Sequence, residues 1–352
     1  MNHVDLFKRL VKIDSPSGKE GRIKKYINDY CLKRGIKLKL DKCGNLYFSN
    51  KDSKILLTAH MDTVQGNTHV KPIIFKQKII SNRKTILAAD DKANLSSILM
   101  IVDYYFKHEL KPDFELLFTV SEELGMRGSR KIKRKLFHSK YALSFDKYNE
   151  PFGYIVSSAP YGYNIIVEVY GKSSHASLPE NGINALKIAA EFISQIPLGG
   201  KNNQTTFNFG IIEGGISTNT IPDKVILKGD IRGHSKEKIE SIIALTKKIL
   251  DDVTNKFRGT SRIKIQRVIS DYKVNKKSDL IQVLKNILND FGVKPKFVKT
   301  SEGSDISILS EKGFDCVLIS SGGMYNHTKM EEIRIDYLKL IYKTTLCLLK
   351  VL

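Results

Sequence analysis

Cysteine is scarce in this chain of 352 residues: Cys31, Cys43, Cys316 and Cys347 are scattered, and none forms a Cys-x-x-Cys pair. That excludes a zinc–thiolate site and a disulfide framework, and it reads as reduced thiols in a cytoplasmic protein. Long apolar runs are missing too. None approaches the ~18–20 residues of a membrane span, so no membrane partner is expected. The opening segment, MNHVDLFKRLVKIDS, carries an early acid and lacks a long apolar stretch. It reads as an amphipathic helix with Val4, Phe7, Leu10 and Val11 on one stripe, not as a secretion signal. Acidic residues are outnumbered, 37 Asp and Glu against 58 Lys and Arg, for a net charge of +21. The basic residues are mostly lysine and spread along the chain, densest in Ser129–Lys135, and the 15 Tyr and 16 Phe do not interleave with them in an RNA-binding pattern. A solvated lysine-rich surface with no nucleic-acid partner is the expectation. Internal repeats and low-complexity tracts are also absent. With 41 % hydrophobic residues, the chain can build a large core over two domains.

What is present is organised around Ile55–Thr63, ILLTAHMDT. A strand-length apolar run delivers His60 and Asp62 as it leaves the sheet. Residues two apart on a strand face the same side. Imidazole is a common metal ligand, and a neighbouring carboxylate fixes its tautomer. The plan repeats along the chain. Asp90 and Asp91 sit at the mouth of a helix over 91–108, whose apolar face is Ile98, Leu99, Val102, Tyr105 and Phe106. The buried strand Phe114–Val120 ends in Glu122 and Glu123. Tyr141–Phe145 ends at Asp146, and Cys316–Ser320 is followed by His327. In open α/β sheets, sites lie at the carboxyl ends of the strands.

Other elements fall between these. Helices are expected over 1–14 and 19–34, broken at Ser15–Gly18, then a pair of short strands around Lys42–Asn45 and a hairpin within 71–84. From about residue 161 the pattern changes to alternating strands and amphipathic helices, in the order β-α-β-β-α-β. Strand–helix alternation resumes near Val274, and a final helix spans 333–352. This predicts a catalytic domain in two segments, 1–160 and 273–352, around an inserted domain at 161–272.

Two histidines and several carboxylates without cysteine suit a pair of zinc-like ions with mixed N and O ligands. Two ions ~3.5–4 Å apart need a bridging ligand, and hydrolysis needs a base that is not tied to metal. A Glu-Glu pair can supply both a ligand and the base.

The motifs LLTAHMDT, AADDKAN, VSEELGMRGS, SFDKY, GGISTNTIPD and NHTKMEEI resemble, in order and through nearly the whole chain, those of the two-zinc metallopeptidase family of peptidase T, aminoacylase, carboxypeptidase G and succinyl-diaminopimelate desuccinylase. The DDKA and SEELG forms look most like the peptidase T branch. A second two-metal aminopeptidase family has similar pieces, but there the small domain falls between the His-x-Asp pair and the bridging Asp. Here the insertion follows Asp146.

The resemblance implies an α/β catalytic domain with a mostly parallel mixed sheet between helices, plus a ferredoxin-like α+β lid and dimerisation domain. It implies two divalent ions per chain, zinc by default with Co or Mn compatible. His60, Asp90, Glu123, Asp146 and His327 would be the ligands, Asp90 bridging, with the Asp90–Asp91 peptide cis. Asp62 would orient His60, and Glu122 would be the general base and acid. His175 would reach the neighbouring subunit's site in a homodimer, and Asn219 and Arg232 would face substrate. The arginine often found before the loop at Ser304-Asp305 is absent from SEGSDIS. The activity implied is aminopeptidase action on short peptides. A deacylase or carboxypeptidase acting on an N-acyl amino acid is the alternative within the family. A metal-free binding protein using the basic surface is the alternative outside it.

Overall fold

The computed structural model describes residues 2–65, 68–200 and 205–352. They divide into two compact units. One comprises residues up to Ser158 with Tyr272–Thr300 and Ser304–Leu352, and the other comprises Ala159–Asp271 with Ser301–Gly303.

The first unit is built on a nine-stranded mixed sheet. Its order is Lys39–Leu40, Leu46–Phe48, Phe114–Thr119, Ile55–His60, Tyr141–Lys147, Asp315–Ser320, Ile155–Ala159 and Tyr272–Lys273, with Phe297–Lys299 also on Ile155–Ala159. The four central strands, from Phe114–Thr119 to Asp315–Ser320, run parallel. Every residue of Ile55–His60 and Phe114–Thr119 is buried. Strands covered on both faces read as continuous apolar runs, which is why these were visible in the sequence. Helix Ala89–Lys107 packs on Ile55–His60 and Tyr141–Lys147 and is itself covered by His3–Val11 and Ile335–Val351. Because the central strands are parallel, their carboxyl ends share one edge of the sheet.

Several elements differ from the sequence reading. The first helix spans His3–Val11 and buries His3, Leu6, Phe7, Leu10 and Val11. Val4 lies on the flank of that stripe, because the buried set follows positions i, i+3, i+4, i+7 and i+8. Phe106 is 53 % exposed: it stands in the last turn of a helix that ends at Lys107, one position past the buried Tyr105. The final helix starts at Ile335, since Glu332–Arg334 is a strand paired with Lys78–Ile80 of the hairpin. Strand Ile155–Ala159 carried no strong sequence signal. Helix Ala185–Gln195 starts where Asn184 caps it by accepting from Lys187 N–H.

The second unit is a four-stranded antiparallel sheet in the order Thr205–Gly214, Lys224–Gly233, Tyr161–Tyr170 and Thr260–Ile269. Helices Ala185–Gln195 and Lys236–Lys256 pack on it. Ile165, Val167 and Val169 alternate into a core with Ile188, Phe192, Val225, Leu227 and Leu250. This is the ferredoxin-like arrangement. No helix among the described residues is long and apolar enough to cross a membrane.

His3 gives the first helix a pH dependence. Its Nε2 lies 3.0 Å from Ser96 Oγ, and burial, with help from the Lys339 charge, pushes its pKa down from 6.5 to about 3. The unfolded chain therefore takes up a proton below pH 6.5 that the folded chain refuses. The stability held above pH 6.5 is lost as pH falls toward about 3, by up to ~1.4 kcal/mol per unit. His3→Gln keeps a hydrogen-bonding group but no titration, so chemical denaturation is expected to show a shallower acid limb than wild type. Equal pH slopes in the two proteins would contradict this.

Candidate metal centre

His60 is the last residue of its strand. Its Nδ1–H donates to the Asp62 carbonyl oxygen at 2.9 Å, which leaves Nε2 aimed at Asp90 Oδ1 (3.0 Å) and Asp146 Oδ1 (3.6 Å). A main-chain carbonyl can only accept, so this bond sets the tautomer. The Asp62 carboxylate, expected to orient the ring, stands 3.6 Å from Nδ1 and is occupied elsewhere. Asp62 Oδ1 accepts from Glu122 N–H at 3.0 Å, and Oδ2 accepts from Glu123 N–H at 3.2 Å and from Ser17 Oγ–H at 2.7 Å. One buried aspartate thus joins the strand end to the loop that carries both glutamates.

Asp90 lies at the start of helix Ala89–Lys107, and its peptide bond to Asp91 is cis. Ala88 before it has a φ of +63°. The buried Glu331 carboxylate holds this turn, accepting from Ala88 N–H at 2.7 Å and Asp90 N–H at 3.1 Å. Asp90 Oδ2 accepts from Asn326 Nδ2 at 2.9 Å and faces His327 Nε2 at 3.2 Å. His327 Nε2 also lies 2.8 Å from Glu123 Oε1. Asp91 is fully buried and accepts from Asn94 Nδ2 at 2.9 Å and from the Tyr148 hydroxyl at 3.4 Å. His60, Asp90 and Glu123 offer donor atoms all within 4.8 Å of one another, and so do His60, Asp91 and Asp146.

The electrostatics match this crowding. Burial, then the Asp146 charge, pushes the Asp91 carboxyl well above its ordinary range. Burial also raises Glu122 strongly, with added repulsion from Asp146, Asp305 and Glu123, and it raises Asp146 to about 7. Burial opposes ionisation of Asp90 as well, but hydrogen bonds with His327 and His60 hold its pKa low. Burial would lower His60, yet its hydrogen bond and charge interaction with Asp146 carry it well above 6.5. Hydrogen bonds to Asp90 and Glu123 raise His327 to about 10. A group of carboxylates facing two imidazoles is a donor set suited to divalent cations.

The remaining site candidates belong to the second unit. His175 lies on a two-residue strand paired with Thr220–Ile221, and Ala176 N–H donates to the Asn219 carbonyl at 2.8 Å. Asn219 Oδ1 accepts from Ser217 Oγ–H at 2.8 Å. Arg232 donates from Nε to Asp230 Oδ1 at 2.9 Å and from Nη1 to the Ser301 carbonyl at 3.2 Å. His175 and Asn219 are therefore neighbours, while Arg232 stands apart on the four-stranded sheet.

Sequence reasoning missed Ser17, Asn326 and Glu331. In the sequence Ser17 shows only as part of the break between two helices. Asn326 and Glu331 flank the motif histidine, but nothing in their spacing signals a bond to Asp90 or to its backbone. If His60 and His327 are metal ligands, taking up the ion must displace protons. Calorimetry in buffers of different ionisation enthalpy is expected to show proton release near neutral pH. The apparent affinity is expected to climb with pH toward about 10, where His327 deprotonates. An affinity independent of pH would exclude these imidazoles as ligands.

The profile of peptidase family M28 matches residues 44–149, and that of the peptidase dimerisation domain matches residues 162–258. Over its whole length the fold is similar to a tripeptidase from Staphylococcus aureus, 28 % identical with a TM-score of 0.91, covering 99 % of this chain and 97 % of that one. It is likewise similar to aminopeptidase PepT from Bacillus cereus, 28 % identical with a TM-score of 0.87 and the same coverage. The uncharacterised protein YqjE of Bacillus subtilis is 29 % identical over 94 % of this chain and 93 % of its own length. Peptidase T sequences from several bacteria are 26–28 % identical, and the match spans 62–64 % of their length. The M28 match covers the catalytic stretch alone, and the dimerisation segment follows Asp146 instead of interrupting that stretch. These matches support the two-metal peptidase family that includes peptidase T, and within it the peptidase T branch.

Proposed function

We propose that this protein is an aminopeptidase of the peptidase T kind, hydrolysing an amide bond of short peptides with the help of two divalent ions. The observation that carries the reading is the convergence of His60, Asp90, Glu123, Asp146 and His327, with Glu122 close enough to feel the charges of His60, Asp146 and Glu123. These five residues would hold the ions, with Asp90 shared, since its two oxygens face His60 and His327 separately. Zinc suits the nitrogen and oxygen donors, and cobalt or manganese would fit the same set. When bound, the ions supply Lewis acidity, polarising the scissile carbonyl and lowering the pKa of water.

The chain's own residues supply the rest. Glu122 is the proton carrier: its backbone is fixed by Asp62, and its half-buried, repelled carboxylate favours holding a proton. Such a group takes a proton from water and returns it to the leaving amine. The Asp62 carbonyl keeps the His60 proton on Nδ1, away from the ion. His175 Nδ1 accepts from Ser177 N–H at 3.2 Å and lies 2.7 Å from Ser177 Oγ. In the neutral ring Nε2 then carries the proton, a donor suited to an oxyanion. We assign Asn219 and Arg232 to substrate contact. We infer a homodimer in which His175 of one copy serves the other, supported by the dimerisation-domain match. A cytoplasmic setting accords with four free cysteines.

Metal-loaded protein is expected to cleave tripeptides with a free N-terminus and to spare N-acetylated ones. Glu122→Gln is expected to keep its metal by mass spectrometry and to lose ~10³-fold or more in kcat. Cleavage confined to N-acyl substrates would move the assignment to a deacylase. Full activity in Glu122→Gln would remove the proton-carrier role.

A further inference from the structure

The loop Val120–Gly128 carries Glu122 and Glu123, and its backbone is fixed by side chains from elsewhere in the first unit. Asn45 closes its neck, accepting from Val120 N–H at 3.1 Å and donating to the Gly128 carbonyl at 3.0 Å. Asp62 holds the two glutamate N–H groups. Between these points stands Ser121, whose φ of +52° is in the left-handed region. A serine keeps that conformation only where its surroundings over-determine it.

What holds Ser121 is Glu20. Its Oε1 accepts from Ser121 N–H and from Ser121 Oγ–H, both at 3.1 Å, and from Gly18 N–H at 2.8 Å. Glu20 is 4 % exposed, and all three donors are neutral. The same short segment supplies Ser17, whose hydroxyl donates to Asp62 Oδ2. Residues 17–20 therefore fasten both the His60 strand end and the glutamate loop. The sequence presents this segment only as a break between two helices.

We infer that Glu20 is a positioning residue for Glu122, fixing the left-handed turn at Ser121 that aims the Glu122 carboxylate at the reacting centre. This rests on the proton-carrier role proposed for Glu122. Glu20 touches no ligand side chain in the contacts described above, so its loss acts on the geometry of the loop and leaves the ion site in place. An amide oxygen at position 20 can accept the same three bonds, whereas alanine leaves Ser121 without either partner.

The test compares Glu20→Ala, Glu20→Gln, Ser121→Ala and Glu122→Gln as metal-loaded proteins acting on a free-amine tripeptide. Glu20→Ala is expected to lose about 10–100-fold in kcat with KM within about threefold of wild type. It is expected to keep two ions per chain and to exchange amide hydrogens faster in the peptide spanning 119–126, with or without metal. Glu20→Gln is expected to recover most of the lost kcat and protection. If Glu20→Ala does not fold, Ser121→Ala, which removes one of the two bonds, carries the test with a smaller fall in kcat and the same local exchange. Unchanged kcat in Glu20→Ala, or a fall that only follows lost metal or lost folded protein, overturns the inference while Glu122→Gln stays inactive. An active Glu122→Gln overturns the proton-carrier reading and the inference with it.

Discussion

The constraint on which the rest of the molecule depends is a concentration of negative charge. Asp90, Asp91, Glu122, Glu123 and Asp146 converge at one sheet edge, faced by the imidazoles of His60 and His327. In a low-dielectric interior such carboxylates either take up protons or find cations. The raised pKa values of Asp91, Glu122, Glu123 and Asp146, the last reaching about 7, express that pressure in the protein alone. Divalent ions bound there would relieve it without protonating the carboxylates. The surrounding fold can be understood as the scaffold that keeps these groups close against their repulsion.

The scaffolding is local and covalently short-ranged on the metal side, but long-ranged in sequence. Asp62 ties residues 60–63 to the loop at 120–128, and Glu331 ties the turn at 88–90 to the loop that carries His327. The left-handed residues Ala88, Ser121, Tyr325 and His327 fall in these same segments. Each non-glycine residue held there costs about 1 kcal/mol or more, a cost met by buried hydrogen bonds from side chains elsewhere. The parallel sheet supplies the rigid base, since buried strands on both sides of Ile55–His60 leave its end little freedom.

The sequence made the centre legible because parallel buried strands are unbroken apolar runs, so a His or acid just past each run stands out. Ile55–His60, Phe114–Thr119, Tyr141–Lys147 and Asp315–Ser320 all carried that signature. The inserted ferredoxin-like unit was legible for a different reason, its two-residue alternation from Tyr161 onward. What stayed hidden were bonds that depend on main-chain atoms. No spacing reveals that the Asp62 carbonyl, and not its carboxylate, sets the His60 tautomer. Glu331 and Glu20 give no sequence signal because the amides they hold at Asp90 and Ser121 lie far away in sequence. Short edge strands such as Glu332–Arg334 hide inside the periodicity of the following helix, and the exposure of Phe106 is hidden because the helical stripe does not say where its cover ends.

Anomalous diffraction at the zinc edge from crystals of the zinc-loaded protein tests the central claim most directly. The account predicts two peaks per chain, both against Asp90, one shared with His60 and Asp146 and the other with His327 and Glu123. A single peak, or two peaks that do not share Asp90, would contradict it.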